Sequence, residues 1–321
     1  MVTYVIRRLL YLIPVLFATS LIIFTFVSVS GDPLGQVRQI PNVNQQTIQN
    51  IIEDNHLDRP LLVQYGYWVK DAVTNKFGNT LLSDEPIWPD LKRVLGNTLQ
   101  LIILAEILAV SLAIVVGVIS AAKQYSIFDY GATTMSFIGF STPVFWFALI
   151  LQVIFTNIYL NYGVRIFYTN QLSSTNPENF WIDRLQHLAL PVLTLTVLGV
   201  AQFSRYMRAA MLEVINSDYV RTARAKGLNE RRVIMKHAFR NALIPLVTVV
   251  ALDFGALFGG AFATETVFAL DGMGLYFLRA LSERDVYPLM AWLMVASLIV
   301  VLFNLVADII YGWLDPRIRY D

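Results

Sequence analysis

The stretch Asp218–Pro245, DYVRTARAKGLNERRVIMKHAFRNALIP, is lodged between two apolar runs, Leu188–Arg208 and Ala242–Phe262, each long enough to cross a bilayer. From Arg205 to Arg240 nine side chains are Lys or Arg, and only Glu213, Asp218 and Glu230 are acidic. No other connection in the chain carries charge at that density. Asn216, Ser217 and Asp218 are good N-caps for a helix beginning near Tyr219. Gly227 suits the left-handed end of that helix, and Asn229 the cap of a second. The pattern predicts helix, tight turn, second helix, then Pro245 where the next span begins. Ala223, Ala225 and Gly227 predict a surface of small side chains that another protein can approach closely, surrounded by Arg221, Arg224, Lys226, Arg231 and Arg232. A solvated loop beside anionic lipid needs no such caps and register, and no nucleic-acid-binding module is recognisable.

Outward from this segment, the chain is 56% hydrophobic with a mean hydropathy of +0.56, outside the soluble globular norm. Six stretches have the length of a membrane span: Leu9–Val29, Thr98–Ala122, Gly131–Leu160, Leu188–Arg208, Ala242–Phe262 and Pro288–Trp313. Backbone groups in lipid must pair internally, and barrel-type alternation is absent, so an all-α polytopic membrane protein with six transmembrane helices is expected. The first apolar run is too long for a signal-peptide core and no small-x-small cleavage site follows it, which predicts a retained first helix with a kink at Pro14. Placing the N-terminus inside puts fourteen Lys and Arg in short cytoplasmic segments. It leaves ten on the longer external ones, which hold fourteen of the acids. That bias predicts an N-in, C-in topology.

The expected division is an N-terminal helix plus a large extracytoplasmic region over residues 1–96, and a core of five spans over 97–321 with the basic loop at about 205–242. Short external helices are predicted at Gln45–His56, Asp58–Ala72 and Leu275–Ser282. The third apolar stretch would be roughly 45 Å long as one straight helix, so it should tilt or break, and Pro143 is the expected break. Such a break is either a packing kink or part of a helix lining a pathway, with Ser141, Thr142 and Phe145 near a gate. Glu106, Asp253 and Asp308 fall within spans and should face protein or water. They serve either as hydrogen bonds between helices or as a proton relay or substrate contact. Asp253, close in sequence to Gly255 and Gly259 with their small-xxx-small spacing, is the best pathway candidate. Cysteine is absent, and three His without ligand spacing argue against a metal site. No phosphate-binding loop, nucleophile elbow or His-Glu-x-x-His motif is present, so the chain is expected to be neither an ATPase nor another enzyme.

The basic segment resembles the conserved cytoplasmic loop of ABC importer permeases, whose usual form begins Glu-Ala-Ala with Gly four residues after the second Ala. Arg221-Thr222-Ala223 stands at the Glu-Ala-Ala positions and Gly227 at the Gly. Where the general form has Pro thirteen residues after the Gly, this chain has Arg240, and Pro245 comes later. Both departures resemble the dipeptide, oligopeptide and nickel branch. Other marks of that branch recur in order: Arg7-Arg8-Leu9-Leu10, Gly31-Asp32-Pro33, Leu57-Asp58-Arg59-Pro60, Phe140–Trp146, Glu265-Thr266-Val267-Phe268 and Leu314–Tyr320. Asp271 replaces a Pro common in the family before the Gly-x-Gly of the third external loop.

The resemblance implies a type I ABC importer permease fold and a multi-pass subunit of the cell membrane. It implies a sister permease, two cytoplasmic ATPases that bind ATP and Mg, and an extracytoplasmic solute-binding protein, with no cofactor in this chain. It places ATPase coupling on Tyr219, Arg221, Ala223, Arg224, Ala225, Gly227, Leu228 and Arg231; the expected pathway or gate residues are Ser141, Thr142, Phe145, Asp253 and Glu265. Di- or oligopeptide is the expected cargo; nickel chelates, glutathione and oligosaccharides are alternatives within the family. A proton-coupled secondary transporter using the three intramembrane acids is the reading from another class.

Overall fold

Long apolar runs without strand alternation have one way to satisfy their backbone, and they take it. The computed structural model describes residues 2–30, 34–35, 37–39, 44–81 and 83–314. Among them helix dominates, and the sole extended pairing is an isolated bridge between Asn79 and Pro86. In chain order the helices are α1 (Val2–Ser30), α2 (Gln45–Asp54), α3 (Leu61–Thr74), α4 (Ile87–Ala122), α5 (Ile127–Ser141), α6 (Val144–Tyr162) and α7 (Phe180–Ile215). There follow α8 (Asp218–Ala225), α9 (Glu230–Arg232), a π-helical turn Val233–Ala238, α10 (Phe239–Val267), α11 (Met273–Ser282) and α12 (Val286–Leu314). Gly31-Asp32-Pro33 and the tail Asp315–Tyr320 lie outside the described residues.

Among the described residues six helical stretches are long and apolar enough to cross a membrane, over Ile6–Val29, Ile87–Ala122, Val144–Tyr162, Phe180–Ile215, Glu230–Gly255 and Val286–Ile310. The third stretch is two helices rather than one. α5 ends at Ser141, Thr142 turns extended (φ −85°, ψ 123°), and Pro143 caps α6. Proline disfavours helical geometry in the residue before it, which is why the break falls at Thr142. The predicted short helices form with boundaries shifted by a few residues.

The chain folds into two compact units. The first holds Thr98–Leu270 together with residues 2–5 and 303–314, and α7 is the most buried of its long helices. Here helices touch through small residues. A Cβ on Gly117 would lie 2.6 Å from that of Met207, one on Gly139 2.9 Å from that of Ala201, and one on Gly199 2.7 Å from that of Ala109. Such contacts leave no room for a side chain, as expected where helices must pack without a hydrophobic drive between them. Polar ties add to the seam. The Arg208 guanidinium donates to both oxygens of Asp129 (2.6 and 2.7 Å), and the Tyr125 amide donates to the same carboxylate at 3.0 Å. Arg208 thereby holds the buried Asp129 carboxyl below the usual carboxylate range.

The second unit, Ile6–Asn97 with Asp271–Leu302, is packed by rings. Phe24 meets Tyr65 edge-on at 5.4 Å and Trp68 at 5.7 Å. The Tyr65 hydroxyl shares a 2.7 Å hydrogen bond with Ser20, and the Trp292 indole donates to the Met273 carbonyl at 2.8 Å. Asp285 is buried and accepts from the amides of Leu81 (2.8 Å) and Tyr287 (3.2 Å). Burial nevertheless pushes its pKa up to about 6. Asp271 is fixed by charge: Arg93 bridges it to Asp90, Arg279 reaches both acids, and Asn97 donates to its carbonyl at 2.6 Å.

Candidate functional site

The basic segment begins where α7 runs out of partners for its last carbonyls. Asn216 folds its amide back to the Leu212 carbonyl (2.9 Å) and Ser217 its hydroxyl to that of Val214 (2.6 Å). Ser217 is therefore the N-cap of α8 by backbone only; its side chain closes α7. The other signals hold as read. Gly227 sits at φ +76°, and the Asn229 side chain accepts from the Arg231 amide at 3.0 Å. Nothing lies within 4 Å of a Cβ added at Gly227, so the left-handed backbone, not crowding, is what requires glycine there.

The small-residue surface differs from the expectation. Val220 and Ala223 point inward, 0% and 6% exposed, against Met207, Ala210, Met211, Val233, Ala238 and Ala242. Ala223 is small because α8 lies close to its own core. Ala225 and Gly227 remain on the outer face, and Leu228 is half-buried against the same core. Arg224 is also engaged internally, paired with Glu230 at 2.7 Å and reaching the Ile215 carbonyl at 3.3 Å, so it clamps the turn between α8 and α9. The Tyr219 hydroxyl accepts from the Asn241 amide at 2.8 Å, tying α8 to the start of α10.

Of the nine cations, Arg208 is committed to Asp129, and Arg205 lies over the Phe140 ring at 4.3 Å. What faces outward is Arg221, Lys226, Arg231, Arg232, Lys236 and Arg240, interleaved with exposed Tyr219 and Met235. Asn229, Arg231, Arg232, Met235 and Lys236 line an open groove of about 600 Å³. The outward face of the segment thus combines a basic rim with apolar tips on a helix–turn–helix.

The five pathway candidates do not come together as one site. Ser141, Thr142 and Phe145 sit at the α5–α6 break, with Ser141 and Phe145 exposed. Asp253 on α10 accepts from Gln202 on α7 at 3.3 Å and lies near Glu106 on α4. Glu106 is 4% exposed, and its Oε1 finds no hydrogen-bond partner. Glu265 is twelve residues from Asp253 along α10, about 18 Å of helix. It is 1% exposed and accepts from the Thr98 hydroxyl, which makes it a tie between α10 and α4 rather than a group on an open surface.

Sequence reasoning missed two buried polar clusters. One is Asp129 with Arg208. The other ties the loop between α6 and α7 to α7: Asp183 accepts from the Ser174 amide (2.9 Å) and hydroxyl (2.6 Å), with His187 at 3.5 Å and Tyr168 stacked on the imidazole at 3.9 Å. The i, i+4 spacing of Asp183 and His187 was the available signal. This is not a catalytic triad, because the serine donates to the aspartate and the imidazole is 3% exposed. Among the described residues no group of three His, Asp or Glu is placed to hold a metal ion.

Comparison with known proteins supplies the family. Residues 113–320 match the family described as the binding-protein-dependent transport system inner membrane component. The oligopeptide transport system permease protein AppB of Bacillus subtilis is 38% identical, and the dipeptide transport system permease protein DppB of Alkalihalophilus pseudofirmus is 37% identical, each over the full length of both chains. DppB of Escherichia coli K12 is 32% identical over all of this chain and 99% of its own. A crystal structure of an amino acid ABC transporter shares the fold, with TM-score 0.51 and 14% identity over 70% of this chain and 93% of that one. The full-length matches, the shared fold and the six apolar helices agree: the chain belongs to the binding-protein-dependent transport system inner membrane component family and is a multi-pass permease of the plasma membrane.

Proposed function

We propose that this chain is the permease subunit of an ATP-driven importer of di- or oligopeptides. The observation that carries this is the full-length similarity to permeases named for oligopeptide and dipeptide transport. Residues 1–96 contribute the first helix and the large extracytoplasmic region, 97–321 the core, with both termini inside. A sister permease completes the pathway, an extracytoplasmic binding protein delivers the peptide, and two cytoplasmic ATPases bind ATP and Mg and hydrolyse the nucleotide.

The outward face of α8 and α9, with Tyr219, Arg221, Ala225, Gly227 and Arg231, seats in a cleft of one ATPase. Ala223, Leu228 and Arg224 give that face its shape: the first two key α8 into the core below, and the Arg224–Glu230 pair fixes the turn. ATP-driven closure of the ATPase pair moves α8, and the stiff helices α7 and α10 carry the motion to the α5–α6 break at Ser141, Thr142 and Phe145 and to Asp253. Each state must be favoured by contacts the other lacks, so nucleotide acts by shifting a population. Reconstitution into proteoliposomes tests this reading. Peptide uptake should require ATP on the side of α8 and be indifferent to a dissipated proton gradient. Uptake that survives without ATP and disappears with the gradient would favour proton coupling through Glu106 and Asp253.

A further inference from the structure

The seam between α5 and α7 is closed at three levels that lie on one face of each helix. Arg208 grips Asp129 through two hydrogen bonds, of 2.6 and 2.7 Å. Ser204 meets Ser136 hydroxyl to hydroxyl at 3.0 Å, and a Cβ on Gly139 would stand 2.9 Å from that of Ala201. On α7 the partners fall at 208, 204 and 201, the spacing of a single helical face. On α5 they fall at 129, 136 and 139, so the two helices run antiparallel. From Asp129 to Ser136 the helix rises about 10 Å, and from Ser204 to Arg208 about 6 Å. The long Arg208 side chain spans the difference. Arg205 adds a cation over the Phe137 and Phe140 rings of α5, at 5.3 and 4.3 Å. For stability alone a buried ion pair is a poor choice, since apolar groups of similar volume commonly do as well. A bidentate pair adds direction, because two parallel bonds fix an angle as well as a distance. Asp129 is 2% exposed and also accepts from the Tyr125 amide at 3.0 Å, so its carboxylate is held against turning.

We infer, on the coupling reading proposed above, that Arg208 and Asp129 are the positioning residues through which α8 moves α5. Arg208 stands in the turn of α7 between Met207 and Met211, which share one buried cluster with Val220 and Ala223 of α8. The Arg224 guanidinium of α8 also donates to the carbonyl of Ile215, the last residue of α7, at 3.3 Å. A displacement of α8 thus reaches Arg208 through packed side chains rather than through the Asn216-Ser217 link. Asp129 lies in the first turn of α5, so a push there acts along the whole helix. At the far end the stiffness stops. Thr142 is extended, and Pro143 has no N–H to continue the helical ladder. α5 therefore follows α7 as one body, and the chain yields at Thr142, where α6 begins.

The test uses the whole transporter, purified with its accompanying subunits and reconstituted into proteoliposomes with its binding protein. Peptide uptake and ATP hydrolysis are measured on the same vesicles. Arg208→Lys keeps the charge and loses the bidentate grip. Asp129→Asn combined with Arg208→Gln keeps a hydrogen bond and buries no unpaired charge. Both variants should assemble and hydrolyse ATP as wild type does, while peptide carried per ATP falls about tenfold, the size of a typical coupling energy. A purely structural pair would lower uptake and hydrolysis together, with the amount of folded transporter, and leave their ratio unchanged. The chain has no cysteine, so cysteines placed at exposed Ile127 on α5, Glu213 on α7 and Leu160 on α6 take spin labels selectively. In the wild type the 127–213 separation should be the same with and without trapped ATP, and the 127–160 separation, across Thr142, should shift. In Arg208→Lys the 127–213 separation should shift as well. The wild-type labels decide even if a variant fails to assemble. An unchanged uptake-to-hydrolysis ratio in both variants, a wild-type 127–213 separation that follows nucleotide, or a 127–160 separation that does not, overturns the proposal. Wild-type uptake that needs no ATP would remove the importer reading first, and this role with it.

Discussion

The two compact units hold themselves together by opposite means. In the unit around α7, Gly117, Gly139 and Gly199 bring helices within touching distance of Met207, Ala201 and Ala109. In the other, Phe24, Tyr65, Trp68 and Trp292 fill the space with rings anchored by hydrogen bonds. Inside a bilayer, lipid tails are as apolar as any side chain, so close backbone approach and shared polar groups must supply the attraction. In the second unit Tyr65 and Trp68 of the short helix α3 lay large rings against Phe24 of the span α1, so aromatic faces supply the contact area there. The difference predicts which kind of substitution each unit resists.

The largest expected effect is at the small-residue seam. Gly117→Leu places a branched side chain where even a Cβ would collide with Met207, and the folded chain should fail to accumulate in membranes. Gly66→Ala on α3, where nothing lies within 4 Å, should accumulate as wild type. Equal behaviour of the two variants on a Western blot of membranes would break the comparison.

Next comes Trp68→Ala in the ring-packed unit, which should cost about 3–5 kcal/mol in detergent unfolding by loss of a buried indole. Limited proteolysis should then open Gln45–Asn97 before the α7 unit; simultaneous loss of both units would contradict the separation.

A smaller effect is expected from pH. The folded pKa of Asp285 lies at about 6, above its ordinary 3.8, so the stability linked to its proton is fully present below 3.8 and is lost as pH rises through 6. The loss is on the order of 2–3 kcal/mol, and Asp285→Asn should flatten the dependence of melting temperature on pH between pH 4 and 6.

Smallest in stability is Gly227→Val. Its added atoms meet nothing, so only the left-handed backbone resists, at about 1–2 kcal/mol. Insertion and folding should persist while transport is lost; normal uptake would remove the α8 turn from the coupling mechanism.

Much of this architecture was legible. Hydropathy located the spans because a bilayer imposes a length, and Gly227, Asn229 and Pro143 announced a turn, a cap and a break through local backbone chemistry that needs no distant partner. What stayed hidden depends on residues far apart in sequence. Asp129 meets Arg208 across 79 positions, so one of the cations counted in the basic segment proved to be a buried tie. Ala223 reads as a docking residue until it is found buried within the core cluster that includes Met211 and Val233. Glu265 has the composition of a pathway acid and the surroundings of a structural one. Small or charged residues are chosen both for contacts within the chain and for contacts beyond it, and only packing separates the two.

Coupling stands or falls with whether an ATPase docks on the outward face of α8. A photo-activated cross-linker at Ala225, exposed and free of internal duties, tests it in native membranes, with the cross-linked material purified in mild detergent and identified by mass spectrometry. The expected result is a covalent product with a phosphate-loop ATPase, accompanied by a second six-helix permease. Recovery of this chain alone, under conditions that keep a control ABC complex intact, would contradict it.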